Sequence, residues 1–76
     1  MSVSSIISSD TIYSILIEDA SPTVTYIGEA AIGSDTSAPV WRIKRLQTTG
    51  SLLAIDWADK NSRFDNVWDN RAVLSY

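Results

Sequence analysis

Apolar and polar residues alternate with a period of two over most of this chain, which predicts strands. The first firm strand is Thr11 to Glu18, carrying Ile12, Tyr13, Ile15, Leu16 and Ile17. Asp19-Ala20-Ser21-Pro22 reads as a turn, because Pro22 fixes φ and Ser-Pro favours turn initiation. Thr23 to Gly28 returns as a second strand, with Val24 and Tyr26 alternating against Thr25 and Ile27. Glu29 to Pro39 is small and polar and forms the longest expected loop. Val40 to Gln47 alternates cleanly: Trp41, Ile43 and Arg45 point one way, and Val40, Arg42, Lys44 and Leu46 the other. Thr48-Thr49-Gly50-Ser51 connects it to Leu52–Trp57, where Leu53, Ile55 and Trp57 share a face. The expected hairpin sets Trp41 and Ile43 opposite Ile55 and Trp57, since aromatic and β-branched pairs stabilise neighbouring strands.

Beyond Trp57 the period changes. Phe64, Val67, Trp68 and Arg71 fall at i, i+3, i+4 and i+7, one face of a helix, with Ser62 as its expected N-cap. Ala72 to Tyr76 is expected to return as a short strand. The pattern therefore predicts a mainly β fold: a small antiparallel β-sandwich or barrel with one short helix near residues 62–70. Residues 1–10 form an N-terminal arm or edge strand, and residues 11–76 a single small β domain. The expected core is Ile43, Ile55, Trp57, Phe64 and Val67. Three tryptophans cannot all be fully buried in so small a domain, so Trp41 and Trp68 are assigned to a subunit contact, with Ile6 and Ile7 of the arm.

Composition strengthens the β reading. Twelve serines and six threonines face only two glutamates and two lysines, and the latter are the residues of ordinary helices. At 76 residues a single core barely offsets conformational entropy. Cysteine and histidine are absent, so disulfides are excluded and a zinc site would rest on carboxylates alone. Oligomerisation is the remaining support, and a homo-oligomer is expected. Apolar runs such as Ile15-Leu16-Ile17 fall far short of a membrane span, and Met1-Ser2-Val3-Ser4-Ser5 lacks the basic start of a signal peptide.

Candidate chemistry is thin. Asp56, Asp59, Asp65 and Asp69 suggest a cation loop, but the run from Asp59 to Phe64 has Arg63 at a ligand position and no glycine. Turns, capping and pairing with Lys60, Arg63 and Arg71 account for these acids more simply. Arg42, Lys44 and Arg45 are too few for a nucleic-acid surface on a chain of net charge −3. Serine catalysis needs a base, and neither histidine nor a Gly-Xaa-Ser-Xaa-Gly elbow is present. The sequence thus predicts no enzyme, no cofactor, no metal, no nucleic acid and no membrane.

Three word blocks carry a resemblance. They are Trp41-Arg42-Ile43-Lys44-Arg45, then Trp57-Ala58-Asp59-Lys60-Asn61 with Phe64-Asp65-Asn66-Val67-Trp68-Asp69-Asn70-Arg71, and a final Leu74-Ser75-Tyr76. Over residues 23–76 the chain resembles a family of short, largely uncharacterised proteins and modules of tailed bacteriophages, in which a glycine often stands where this chain has Lys60. The resemblance implies a non-enzymatic structural subunit of the virion, made in the host cytoplasm, with other virion proteins as partners. A tail or fibre connector or attachment module is the leading expectation. A capsid decoration protein, with the arm Met1 to Ser9 added as a strand to a neighbour, is the alternative. A carbohydrate- or receptor-binding tip using an exposed Trp41 or Trp68 is the reading of another class.

Overall fold

In a computed structural model, which describes residues 12–76, the chain is mainly β. The strands are β1 (Tyr13–Ser21), β2 (Val24–Ala31), β3 (Pro39–Thr49), β4 (Leu52–Trp57) and β5 (Asn66–Val67). They form one antiparallel sheet in the order β1-β2-β3-β4, and β5 pairs with the start of β3 at Pro39 and Trp41. The sheet is open, so no barrel closes. Among the described residues no second sheet of comparable size stacks on the first. One face is covered by two 3₁₀ segments, Ala58–Lys60 and Trp68–Val73, and by the chain that follows. The expected arm over residues 1–10, with Ile6 and Ile7, lies outside the described residues.

Both hairpins are tighter than expected. Ser21 pairs with Val24, leaving Pro22-Thr23 as the turn, and a bulge between Asp19 and Ser21 absorbs Ala20. Thr49 pairs with Leu52, leaving Gly50-Ser51. Gly50 has φ +60 while Ser51 stays out of the positive region, the arrangement in which glycine leads a two-residue hairpin turn. The loop from Ile32 to Ala38 is held at two points: Trp41 Nε1 donates to Asp35 O at 2.9 Å, and Asp69 N donates to Thr36 O at 3.1 Å.

The β3–β4 register corrects the expected pairing. Trp57 lies opposite Lys44 and Ile55 opposite Leu46. An even number of turn residues pairs odd positions with even ones, and direct partners share a face. Ile55 and Trp57 therefore sit on the face of Lys44 and Leu46, away from Trp41 and Ile43.

The expected helix over 62–70 forms only in part. Residues 61–65 are not helical; Asn61 Oδ1 accepts the Arg63 N–H at 2.9 Å, a local turn that competes with a helical start at Ser62. Asn66 and Val67 are extended, and the helical geometry begins at Trp68. Ala72 to Tyr76 is not a strand: the 3₁₀ segment runs to Val73, and the rest ties back by Asp59 N to Ser75 O at 2.7 Å. Asp59 and Lys60 both have positive φ, 57° and 59°, so this turn uses a backbone conformation in which glycine is at ease.

Candidate interaction face

Because side chains alternate along each strand, the register assigns every residue to one of two faces. The covered face carries Leu16 from β1, Tyr26, Gly28 and Ala30 from β2, and Trp41, Ile43 and Arg45 from β3. Trp68, Ala58, Leu74 and Tyr76 pack on it from the C-terminal segment. The buried apolar residues are Ala30, Trp41, Ile43, Ala58 and Trp68. Gly28 makes this packing possible: a Cβ there would lie 2.5 and 2.7 Å from ring carbons of Trp68 and 3.2 Å from Trp41. The two indoles meet at a tilted 6.0 Å between centroids.

Trp41 and Trp68 are thus interior, 1% and 7% exposed, and the subunit contact assigned to them is corrected. A glycan-binding tip built on either ring has no surface to offer, for the same reason. The physical cause is Gly28: a position with no side chain lets both rings approach the strand backbone, so a small domain buries two tryptophans.

Polar groups fasten the covering segment. Arg71 Nε donates to Glu18 Oε1 at 2.8 Å, and its Nη2 to Glu18 Oε2 at 3.0 Å, a two-pronged contact that reaches from the second 3₁₀ segment to β1. The bond from Arg71 holds the Glu18 carboxyl below its ordinary value. Tyr76 Oη donates to Arg71 O at 2.7 Å, and its ring lies beneath the Arg45 guanidinium at 4.8 Å. Burial pushes the Tyr76 phenol up to about 12, helped by Tyr26 and opposed by Arg45 and Arg71. Arg71 pairs with Glu18 and not with the neighbouring aspartates; the ion pairs among the described residues are Arg71–Glu18 and Arg42–Glu29.

The opposite face carries Tyr13, Ile15 and Ile17 from β1, Ile27 and Glu29 from β2, Val40, Arg42, Lys44 and Leu46 from β3, and Leu53, Ile55 and Trp57 from β4. Nothing in the described residues covers most of it. Ile15, Ile17, Leu53 and Ile55 are all more than half exposed, at 57%, 67%, 52% and 57%. Ile55, assigned to the core by sequence, is therefore corrected to the open face, and Trp57 is only half-buried there. Phe64, also assigned to the core, remains 39% exposed and stacks on Tyr13 at 5.5 Å. Val67 is half-buried opposite Pro39. Ile43 is completely buried on the covered face.

One end of the open face is a cation–aromatic cluster. The Arg42 guanidinium carbon lies 4.5 Å from the Phe64 ring centre, 5.2 Å from Trp57 and 5.9 Å from Tyr13. Arg42 Nε also donates to Glu29 Oε1 at 2.9 Å. Lys44 Nζ sits 5.3 Å from the Trp57 ring centre. The charges of Arg42 and Lys44 are thus spread over rings, and this end of the face is amphipathic. A shallow depression of about 360 Å³, lined by Tyr13, Ala31, Ser34, Val40 and Phe64, adjoins it. A second, of about 340 Å³, lies beside β4 between Ile55, Asp56, Trp57, Lys60 and Tyr76. Its one cation is occupied, since Lys60 Nζ donates to Tyr76 O at 2.8 Å.

Asp56, Asp59, Asp65 and Asp69 are all exposed. Among the described residues no three acidic side chains converge on a metal-sized site, and no helix is long and apolar enough to cross a membrane. Sequence reasoning missed Asn66, buried with its Nδ2 donating to Asp65 Oδ1 at 3.3 Å. It also missed the exposed isoleucines of β1. Their signal was present: Ile15 and Ile17 flank Leu16, so both faces of β1 are apolar where a strand with one solvated face would alternate.

Compared with known proteins, the chain matches no family model, and no curated protein or solved structure is significantly similar to it. The geometry of the two faces is therefore what a functional reading stands on.

Proposed function

We propose that this protein is a non-enzymatic assembly module that docks other protein surfaces onto its open sheet face. The observation that carries this reading is the exposure of Ile15 and Ile17 on β1 and of Leu53 and Ile55 on β4, the two outer strands, all on one face and each more than half exposed, beside five buried apolar residues among those described. Several large apolar side chains exposed on one face of so small a chain mark an interaction site. The adjoining Arg42–Trp57–Phe64–Tyr13 cluster supplies the aromatic and arginine side chains that dominate interface energetics.

On the resemblance in residues 23–76, the role proposed for this module is that of a tail or fibre connector or attachment subunit of a tailed-bacteriophage virion. The alternative is a capsid decoration protein, lying across capsomer surfaces. The test is to locate the chain in purified particles by mass spectrometry and antibody labelling, with wild type beside Ile17→Lys/Ile55→Lys. Wild type is expected at the tail in fixed copy number, and the variant is expected to fold but to be left out. Label on the capsid would favour decoration. Absence from particles, or full incorporation of the variant, would overturn the reading.

A further inference from the structure

We infer that β1 is the edge along which a second copy of this chain pairs, antiparallel, about a two-fold axis at Leu16. β1 is the outermost strand of the sheet, and its outer row of backbone groups has no partner among the described residues. Such edges are ordinarily blunted by lysine, by proline or by shortness. β1 is nine residues long, contains neither lysine nor proline, and exposes Ile15 and Ile17 beside its free edge. β4 at the other side of the sheet has only six residues.

The charge pattern favours one direction for a second copy. The only charged residues of β1, Glu18 and Asp19, lie toward one end. A second copy running parallel in register would set Glu18 against Glu18 and Asp19 against Asp19, which is destabilising. An antiparallel copy sets both acids against the uncharged end. The regular part of β1 runs from Tyr13 to Asp19, where the bulge interrupts it, and its midpoint is Leu16. Centred there, Ile15 faces Ile17 of the second copy, Ser14 faces Glu18, and Tyr13 faces Asp19. Glu18 is already compensated by Arg71. An axis through Leu16 perpendicular to the sheet puts the two open faces on the same side. The pairing thus brings Ile15 and Ile17 of both copies together on one face.

This inference rests on the assembly reading, but its test uses purified full-length protein, so its failure is separable from failure to enter particles. The chain has no cysteine, so introduced thiols are unambiguous. Ile15→Cys and Ile17→Cys are made separately, checked for wild-type circular dichroism, and oxidised alone and mixed. Direct antiparallel partners lie about 4.5–5.5 Å apart between Cα atoms, within disulfide reach, whereas like residues in this register are displaced along the strand. The mixture is expected to cross-link at least about tenfold faster than either variant alone. Ile17→Lys should leave a folded chain of 8.4 kDa under conditions where wild type weighs twice that by light scattering. Equal cross-linking in mixed and separate samples would overturn the register. Faster cross-linking through Leu53→Cys would replace edge pairing by face-to-face stacking. A wild-type monomer at about 0.5 mM chain, a concentration at which even a small interface associates, would overturn the pairing outright.

Discussion

Both faces of this sheet carry large apolar side chains, yet only one is a core. On the covered face, Gly28 opens a seat for Trp68 beside Trp41, and Arg71 and Tyr76 pin the covering segment by hydrogen bonds to Glu18 and to backbone. On the open face, isoleucines and leucines project without a covering layer among the described residues, and Phe64 folds over one end. Hydrophobicity alone does not decide what is interior. A face becomes core when a segment of the same chain has both the shape to fit it and polar groups to hold it there. On the reading proposed above, the face without such a segment among the described residues receives another molecule.

The comparison can be broken first at the two indoles. Trp41→Ala and Trp68→Ala should each cost about 3–5 kcal/mol, measured by urea unfolding at low micromolar concentration. A cost under about 1 kcal/mol for either would mean that the covered face is not the core. Gly28→Ala tests the seat itself. The new methyl meets the Trp68 ring, and overpacking of this kind should cost about 2–3 kcal/mol. Replacement without loss would show that Trp68 is free to move away.

Smaller effects sharpen the contrast. Phe64→Ala removes a half-exposed ring from Tyr13 and Arg42 and should cost about 1–2 kcal/mol, clearly less than the tryptophans. Tyr76→Phe loses the hydrogen bond to Arg71 O and should cost about 1 kcal/mol at neutral pH. Tyr76 also gives a pH signature. Its phenol is raised from an ordinary value near 10 to about 12, so the folded state favours the protonated form. The stability this contributes is complete below pH 10 and is lost as pH climbs through about 12. Tyr76→Phe should remove that part of the alkaline slope, and identical slopes in both proteins would contradict the buried placement.

Much of the sheet was legible in the sequence. The alternation of Val40 to Gln47 located β3 and put Trp41 and Ile43 on one side, and Gly50-Ser51 marked the following turn. The error lay in parity. Either a four-residue or a two-residue connection pairs odd positions with even ones, so Ile55 and Trp57 had to join Lys44 and Leu46. Setting them against Trp41 and Ile43 requires an odd connection that the sequence does not contain.

The end of the chain was harder to read, because the helical spacing of Phe64, Val67, Trp68 and Arg71 competes with the local turn at Asn61 and the pairing of Asn66 with Trp41. Tertiary pairing overrode a period seen in only four residues. The depth of Trp41 and Trp68 depended on Gly28, and nothing about a lone glycine in a strand says which ring approaches it. The open face was half visible, as apolar residues on both sides of β1. Which side stays open depends on where Ala58 to Tyr76 folds, and that is a long-range choice.

The most direct measurement is the unfolding free energy of Ile17→Ser/Ile55→Ser against wild type, at a concentration low enough to keep both monomeric. Both side chains are more than half exposed, so the double variant should stay within about 1 kcal/mol of wild type. A loss above about 4 kcal/mol would place these residues in a core and contradict the division of the sheet into a covered and an open face.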